Sequence, residues 1–334
     1  MRKLTCERCG QRVFFENTQC DACGAALGFV PAELAMGAFE IGEDGAWQRA
    51  SGSAQRPCAN YTAEQVCNWM LPAEQDAQLC LCCSSTEIIP ALNQPENRGY
   101  WAQMEQAKRR LFYGLLSLKL PTAMSFRFLA DEAREKVMTG HENGVITLNI
   151  AEADDAHREQ VRTDMHEPYR TLLGHFRHES GHYFWDRLIA DSEWLDEFRR
   201  LFGDEREDYA QALQQHYATP LADWPARFIS AYASSHPWED WAECWAHYLH
   251  MQDGLETAAA WGFRLADAGV EPRPLDPQRT LQSSLVEEWL PVSQFINAMD
   301  RSLGTHDSYP FTVPPPVVEK LQFIHQVVAA ATGP

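Results

Sequence analysis

The chain has 334 residues, 45% of them hydrophobic, and a formal net charge of −19. That length exceeds the usual reach of one hydrophobic core, so a large domain with a smaller companion is expected. The acidic balance argues against nucleic acid as a partner, because phosphate binding rests on clustered Lys and Arg, and even the first ninety residues hold more acids than bases.

No run of about eighteen apolar residues occurs, so neither a transmembrane helix nor a membrane partner is expected. The segment from Met1 to Cys9 lacks the apolar stretch of a signal peptide. These features suggest a cytoplasmic protein. Thiols stay reduced there, and ten cysteines then point to metal sites sooner than to disulfides.

Cys6-x-x-Cys9 and Cys20-x-x-Cys23 read as two knuckles, each followed by a glycine, Gly10 and Gly24. Four thiolates presented on two tight turns make a tetrahedral cage for zinc. The rivals are a redox C-x-x-C pair and an iron site of rubredoxin type. A second quartet follows in Cys58, Cys67, Cys80 and Cys83, with Cys82 as a spare; the choice of Cys83 over Cys82 rests on the C-x-x-C spacing from Cys80. Such closed sites ordinarily hold a small domain together and catalyse nothing. Between the quartets, Gly37 to Gly52 reads as strand and turn.

The turn-rich Asn93 to Gly99 is the expected domain boundary, with a module at 1–92 and a larger domain at 93–334. Tyr100 to Leu118 has helical rhythm and stops before Pro121. Met124 to Leu129 and Val145 to Ile150 read as strands, the second after a turn at Gly140 to Gly144. They suggest a small sheet beside the site, whose edge could pair with an extended peptide. His141, in that turn, reads as a surface histidine, and Arg158 to Arg170 as a charged helix.

The next stretch organises the chain. His178-Glu179-x-x-His182 lies among Leu172, Leu173, Phe176, Phe184, Leu188 and Ile189, which recur at helical spacing. Residues four apart share a helix face, so both imidazoles can reach one metal ion, and Glu179 can deprotonate a water held there. Two histidines and a carboxylate on a buried helix need a reason, and zinc supplies it. His175, one turn earlier, is expected to support a ligand from behind or to pack, rather than to ligate.

Trp194 to Tyr217 is amphipathic, with Trp194, Leu195, Phe198, Leu201 and Phe202 expected to be buried. Pro237 then suits a helix start, and Glu239 and Asp240 in its first turn suit the helix dipole. Glu239, Glu243 and His247 recur every four residues beside Trp241, Trp245, Tyr248 and Leu249, an arrangement that suits a third ligand and its support. Spacing alone does not choose between Glu239 and Glu243, although the first turn favours an ionised Glu239. Trp289, Leu290, Val292, Phe295 and Ile296 read as a core helix, Pro314 to Pro316 as a rigid turn, and Val317 to Ala331 as a closing helix.

Together these motifs resemble the zincin metallopeptidases of the gluzincin type, in which a glutamate on a later helix completes H-E-x-x-H. The segment Glu239-Asp-Trp-Ala-Glu243 resembles the E-F-F-A-E-type segment of the anthrax lethal factor-like peptidases. The full layout of paired knuckles, R-H-E-x-G-H-Y, E-D-W-A-E and D-x-Y-P-F resembles a family of bacterial zinc-binding metallopeptidases with an N-terminal zinc ribbon, over nearly the whole chain. The departures are Cys82, which crowds the last knuckle, and Trp238, an unusual neighbour for a ligand. The resemblance implies that Glu239 is the third zinc ligand and that Tyr232, seven residues earlier, assists as an oxyanion donor.

The expectation is an α+β fold: a small double zinc-ribbon module followed by a zincin-like domain with a small sheet, an active-site helix and a mainly helical second half. One catalytic zinc would sit on His178, His182 and Glu239, with Glu179 as general base and Glu243 orienting a ligand histidine. Two structural zincs would sit on the cysteine quartets. The substrate would be a peptide or protein, and the ribbon module could take a protein partner. The rival reading is a zinc-ribbon adaptor whose peptidase-like domain is inactive.

Overall fold

A computed structural model of the chain describes residues 1–49, 51–131, 136–165, 167–266, 269–276 and 279–333. The chain packs as two compact units, one built from Arg2–Gly140 and Gly144–Glu159, the other from Met1, His141–Asn143 and Gln160–Pro334. The fold is mixed helix and sheet, with all of its described strands in the first half of the chain and a mainly helical second half.

The strands open with β1 (Leu4–Thr5) paired antiparallel to β2 (Arg12–Val13), then an antiparallel meander of β3 (Ala26–Val30), β4 (Ala35–Ile41) and β5 (Trp47–Arg49). β6 (Gln55–Pro57) pairs with β7 (Met70–Pro72) around a short helix α1 (Ala59–Thr62). Next come β8 (Thr86–Ile88), α2 (Asn97–Ser117), β9 (Ser125–Leu129), β10 (Gly140–Glu142) and β11 (Val145–Asn149). β8 and β11 flank β9 in parallel. Alternation puts Phe126 and Phe128 of β9, and Ile146 and Leu148 of β11, into the core. The turn at Asn93 to Gly99 lies inside this first unit, because β8 before it pairs with β9 after it.

The charged helix is α3 (Asp155–Asp164), shorter than the expected Arg158 to Arg170; Pro168 restricts the chain beyond it. His166, within the expected range, lies outside the described residues. α4 (Leu172–Leu188) starts at Thr171, whose hydroxyl accepts from Gly174 N at 3.0 Å. The amphipathic stretch after it resolves into α5 (Leu195–Phe202) and α6 (Tyr209–Ala218), with Gly203 between them. Phe198 and Phe202 are buried as expected, whereas Trp194, Leu195 and Leu201 are half-buried.

α7 (Pro237–Ala260) follows, then α8 (Leu281–Ser283), which runs through a π-helical turn, Ser284–Trp289, into α9 (Leu290–Leu303). Trp289 and Val292 are core residues, but Phe295 is exposed and packs on Phe263 with ring centroids 4.8 Å apart. Pro314 caps α10 (Pro315–Thr332), so two of the three prolines open the helix instead of forming a separate turn.

The contact that positions the site is α4 against α7. Gly181 lets the two backbones meet: a Cβ there would lie 2.8 Å from Ala242 Cα. Indole donors then lock the register, Trp241 Nε1 to Gly181 O at 2.8 Å and Trp245 Nε1 to Ser180 Oγ at 3.1 Å. Phe184 stacks on Trp245 at 4.6 Å. Because the clash is with backbone, Gly181→Ala should destabilise this unit by about 1–3 kcal/mol, read as a lower urea midpoint at unchanged m. An unchanged midpoint would mean the helices slide apart at no cost.

Candidate active site and metal centres

The first quartet is built from tight turns. Gly10 and Gly24 take φ of +74° and +70°, and their amides close back onto Cys6 O and Cys20 O at 2.9 and 2.8 Å. Cys6, Cys9, Cys20 and Cys23 bring their sulfurs within 4.8 Å of one another. Cys6 and Cys23 stand 3.7 Å apart, as do Cys9 and Cys20, far beyond disulfide length, so these are free thiols arranged as a cage.

Cys58, Cys67, Cys80 and Cys83 form a second such group, fully buried, in which Cys67 and Cys80 are 3.8 Å apart. Amides of Trp69, Cys80 and Cys83 point at Cys67, Cys58 and Cys80 sulfurs at 3.3, 3.3 and 3.4 Å, donors that favour thiolate. Cys82 is buried outside the group.

Charged residues of α2 are buried next to this second group. Glu105 accepts from Trp101 Nε1 at 3.2 Å and from Thr86 Oγ1 at 2.7 Å, and pairs with Lys108 at 3.1 Å. Burial works against a charge on Lys108, but Glu105 and the neighbouring Cys82 and Cys83 sulfurs raise its pKa. Sequence reading missed this cluster, because Glu105 and Lys108 look like the solvent face of a helix.

The third group lies on α4 and α7. One ligand atom from each of His178, His182 and Glu239 falls within 4.8 Å of the others. Glu239 Oε2 is 3.0 Å from His178 Nε2 and 3.5 Å from His182 Nε2. On its far side, His178 Nδ1 lies 2.8 Å from Glu243 Oε1, and Ser230 Oγ donates to Glu243 Oε2 at 2.6 Å. Nδ1–H donating to Glu243 orients the ring so that Nε2 faces Glu239 and is the nitrogen available to a metal ion. Tyr232 sets its ring 5.9 Å from that of His178, and Tyr209 donates to Glu239 Oε1 at 2.8 Å.

The charges oppose one another at close quarters. Burial works against a charge on His178, yet hydrogen bonds to Glu239 and Glu243 push its pKa well above the ordinary value. Burial likewise acts to raise Glu239 and Glu243, but the imidazoles win and hold both below the usual carboxylate range. Glu179 is different: burial raises it in spite of the two histidines. Its Oε2 is buried with no hydrogen-bond partner among the described residues.

Two family models match the chain. One, described as a "Putative zinc-binding metallo-peptidase", covers residues 97–327, and a zinc-ribbon domain covers residues 3–94. The chain belongs to this zinc-binding metallopeptidase family. Uncharacterized proteins of Mycobacterium tuberculosis and Mycobacterium bovis are 45% identical to it over 98% of this chain and 95% of their own. No solved structure matches it. Among the described residues, no helix is long and apolar enough to cross a membrane.

The residues of this family member fit zinc on structural grounds as well. Two reduced cysteine quartets have the donor set of closed zinc sites, and the His/Glu group has that of an open one. Two buried carboxylates, Glu179 with its orphaned oxygen and Glu239, and the half-buried Glu243 converge on two imidazoles, and a cation offsets that cost.

His141 corrects its sequence reading. Its side chain is only 5% exposed, 3.8 Å from Asp186 and edge-on to Tyr183, and burial followed by the charge of His182 lowers its pKa to about 4. Tyr209 and Ser230 were missed, since nothing in a polar stretch singles out one tyrosine or one serine. The D-x-Y-P-F motif seats on α7 beyond Glu243: Tyr309 OH is 2.9 Å from His247 Nδ1, and Phe311 packs on the same imidazole at 4.4 Å.

Proposed function

We propose that this chain is a zinc-dependent peptidase of gluzincin type, with His178, His182 and Glu239 holding the catalytic zinc. The observation that carries the reading is the buried, unpartnered Oε2 of Glu179 beside a thiolate-free ligand group. Zinc bound there supplies a Lewis acid for the attacking water and the scissile carbonyl.

The chain's own residues supply the rest. Glu243 fixes the His178 tautomer through Nδ1 and is itself fixed by Ser230. Glu179 takes a proton from the attacking water and returns it to the leaving amine; burial strengthens its hold on that proton, which suits a base working near neutrality. Tyr232, next to His178, donates to the developing oxyanion. The substrate is a peptide or protein.

The two quartets hold structural zinc in a ribbon module, residues 1–92, ahead of a peptidase domain, residues 93–334. The reduced cysteines suit a cytoplasmic setting. The module could dock a protein partner.

Hydrolysis of casein or a quenched peptide pool by the purified chain tests the reading. Activity abolished by chelator and restored by zinc supports it; inert protein with all metals bound makes the chain a ribbon adaptor. Metal analysis should give close to three zincs per chain. Chelator should strip the His/Glu zinc first and the buried Cys58 quartet last, since Cys9 of the first quartet is exposed. One zinc in folded protein would contradict the three-site account. Tyr232→Phe should lower kcat by on the order of 10²–10³ with KM and zinc content unchanged. An unchanged kcat would reduce Tyr232 to aromatic packing.

A further inference from the structure

Glu239 is held at both carboxylate oxygens. Oε2 faces the imidazoles of His178 and His182, and Oε1 accepts the Tyr209 hydroxyl at 2.8 Å. A free carboxylate offers two equivalent oxygens to a cation, whereas a hydrolytic metal site must keep a place open for the reacting groups.

We infer that Tyr209 is a positioning residue: it reserves Oε1 of Glu239, so that a single carboxylate oxygen is offered to the metal and a coordination place stays free. This inference rests on the peptidase reading for the substrate, and on the ligand group alone for the metal.

The surroundings of Tyr209 suit that task. It opens α6, whose start is fixed by Asp208 accepting from Gln211 N at 2.9 Å. α6 buries none of its residues, so it is not there to fill the core. It turns Ala212, Leu213 and His216 inward as a half-buried stripe, with His216 Nδ1 3.5 Å from Ser234 Oγ and its ring 6.3 Å from that of Tyr232. Tyr209 itself stands edge-on to His236 at 5.2 Å, and His236 caps α7 by accepting from Trp238 N at 3.1 Å. Donor and acceptor are thus fixed at the same end of α7, three residues from its cap.

Removing this donor should cost about 10–100-fold in activity rather than in metal affinity. The test uses the full chain with zinc kept in both quartets, the His/Glu site emptied by mild chelation and refilled with cobalt. Tyr209→Phe should weaken the cobalt visible bands, as a second carboxylate oxygen raises the coordination number, and by competition titration the variant should hold zinc at least as tightly as the wild type. In active protein kcat should fall with KM unchanged. Tyr217→Phe, which removes another hydroxyl from the same helix, should leave the cobalt spectrum as it was. An unchanged cobalt spectrum in Tyr209→Phe, or an equal change in both variants, would overturn the inference. Wild-type protein that cuts no peptide while Tyr209→Phe still alters the cobalt bands would remove the peptidase reading and leave the role of Tyr209 standing.

Discussion

Glu179→Gln should cut peptide hydrolysis by about a hundredfold or more while the protein stays folded and keeps its zinc. Glutamine matches the shape of glutamate, so packing beside His178 and His182 survives. What goes is the group that can accept a proton. The unpartnered Oε2 is the reason to expect a loss of this size: a buried carboxylate oxygen that serves no structural bond has its capacity left for the reaction. Steady-state rates on a quenched peptide, alongside metal analysis of the same sample, make the comparison. Activity within a few-fold of wild type would place the base elsewhere. Loss of zinc in the variant would move Glu179 into the ligand set.

Glu239→Ala should empty the catalytic site, and Glu243→Ala should only loosen it. The two carboxylates lie one turn apart on α7 and differ in what they touch. Glu239 Oε2 faces both imidazoles, whereas Glu243 meets only the far nitrogen of His178 and is satisfied on its other oxygen by Ser230. A ligand's loss releases the metal; an outer partner's loss costs about 10–100-fold in affinity or activity. Equilibrium zinc titration of the two variants decides it. A filled site in Glu239→Ala with an empty one in Glu243→Ala would exchange their roles.

The parts of this site that were legible in the sequence are those whose spacing is local. His178 and His182 share a face because they are four apart on one helix, and the same rule aligns Glu239, Glu243 and His247. That α4 and α7 meet was not legible from spacing; it depends on Gly181 accepting Ala242 against it and on two indole N–H groups fixing the register. Tyr209 and Ser230 reach the site by the path of the chain between α5 and α7, which no periodicity records.

Buried polar residues misled in a consistent way. His141 in a turn reads as solvent-facing, and Glu105 and Lys108 on a helix go unremarked, because sequence shows polarity and not the partners that make burial tolerable. The sheet shows the same limit: β8 and β9 pair across the turn-rich Asn93 to Gly99, and such pairing is set by tertiary packing.

The most direct measurement is an anomalous difference map at the zinc edge from crystals of the full chain. The account predicts three peaks, one within each cysteine quartet and one bonded to His178 Nε2, a nitrogen of His182 and an oxygen of Glu239, with Glu179 and Glu243 beside that ion and not on it. Peaks confined to the two quartets, with the His178, His182 and Glu239 group empty in zinc-replete crystals, would contradict it and leave a zinc-ribbon protein without a catalytic metal.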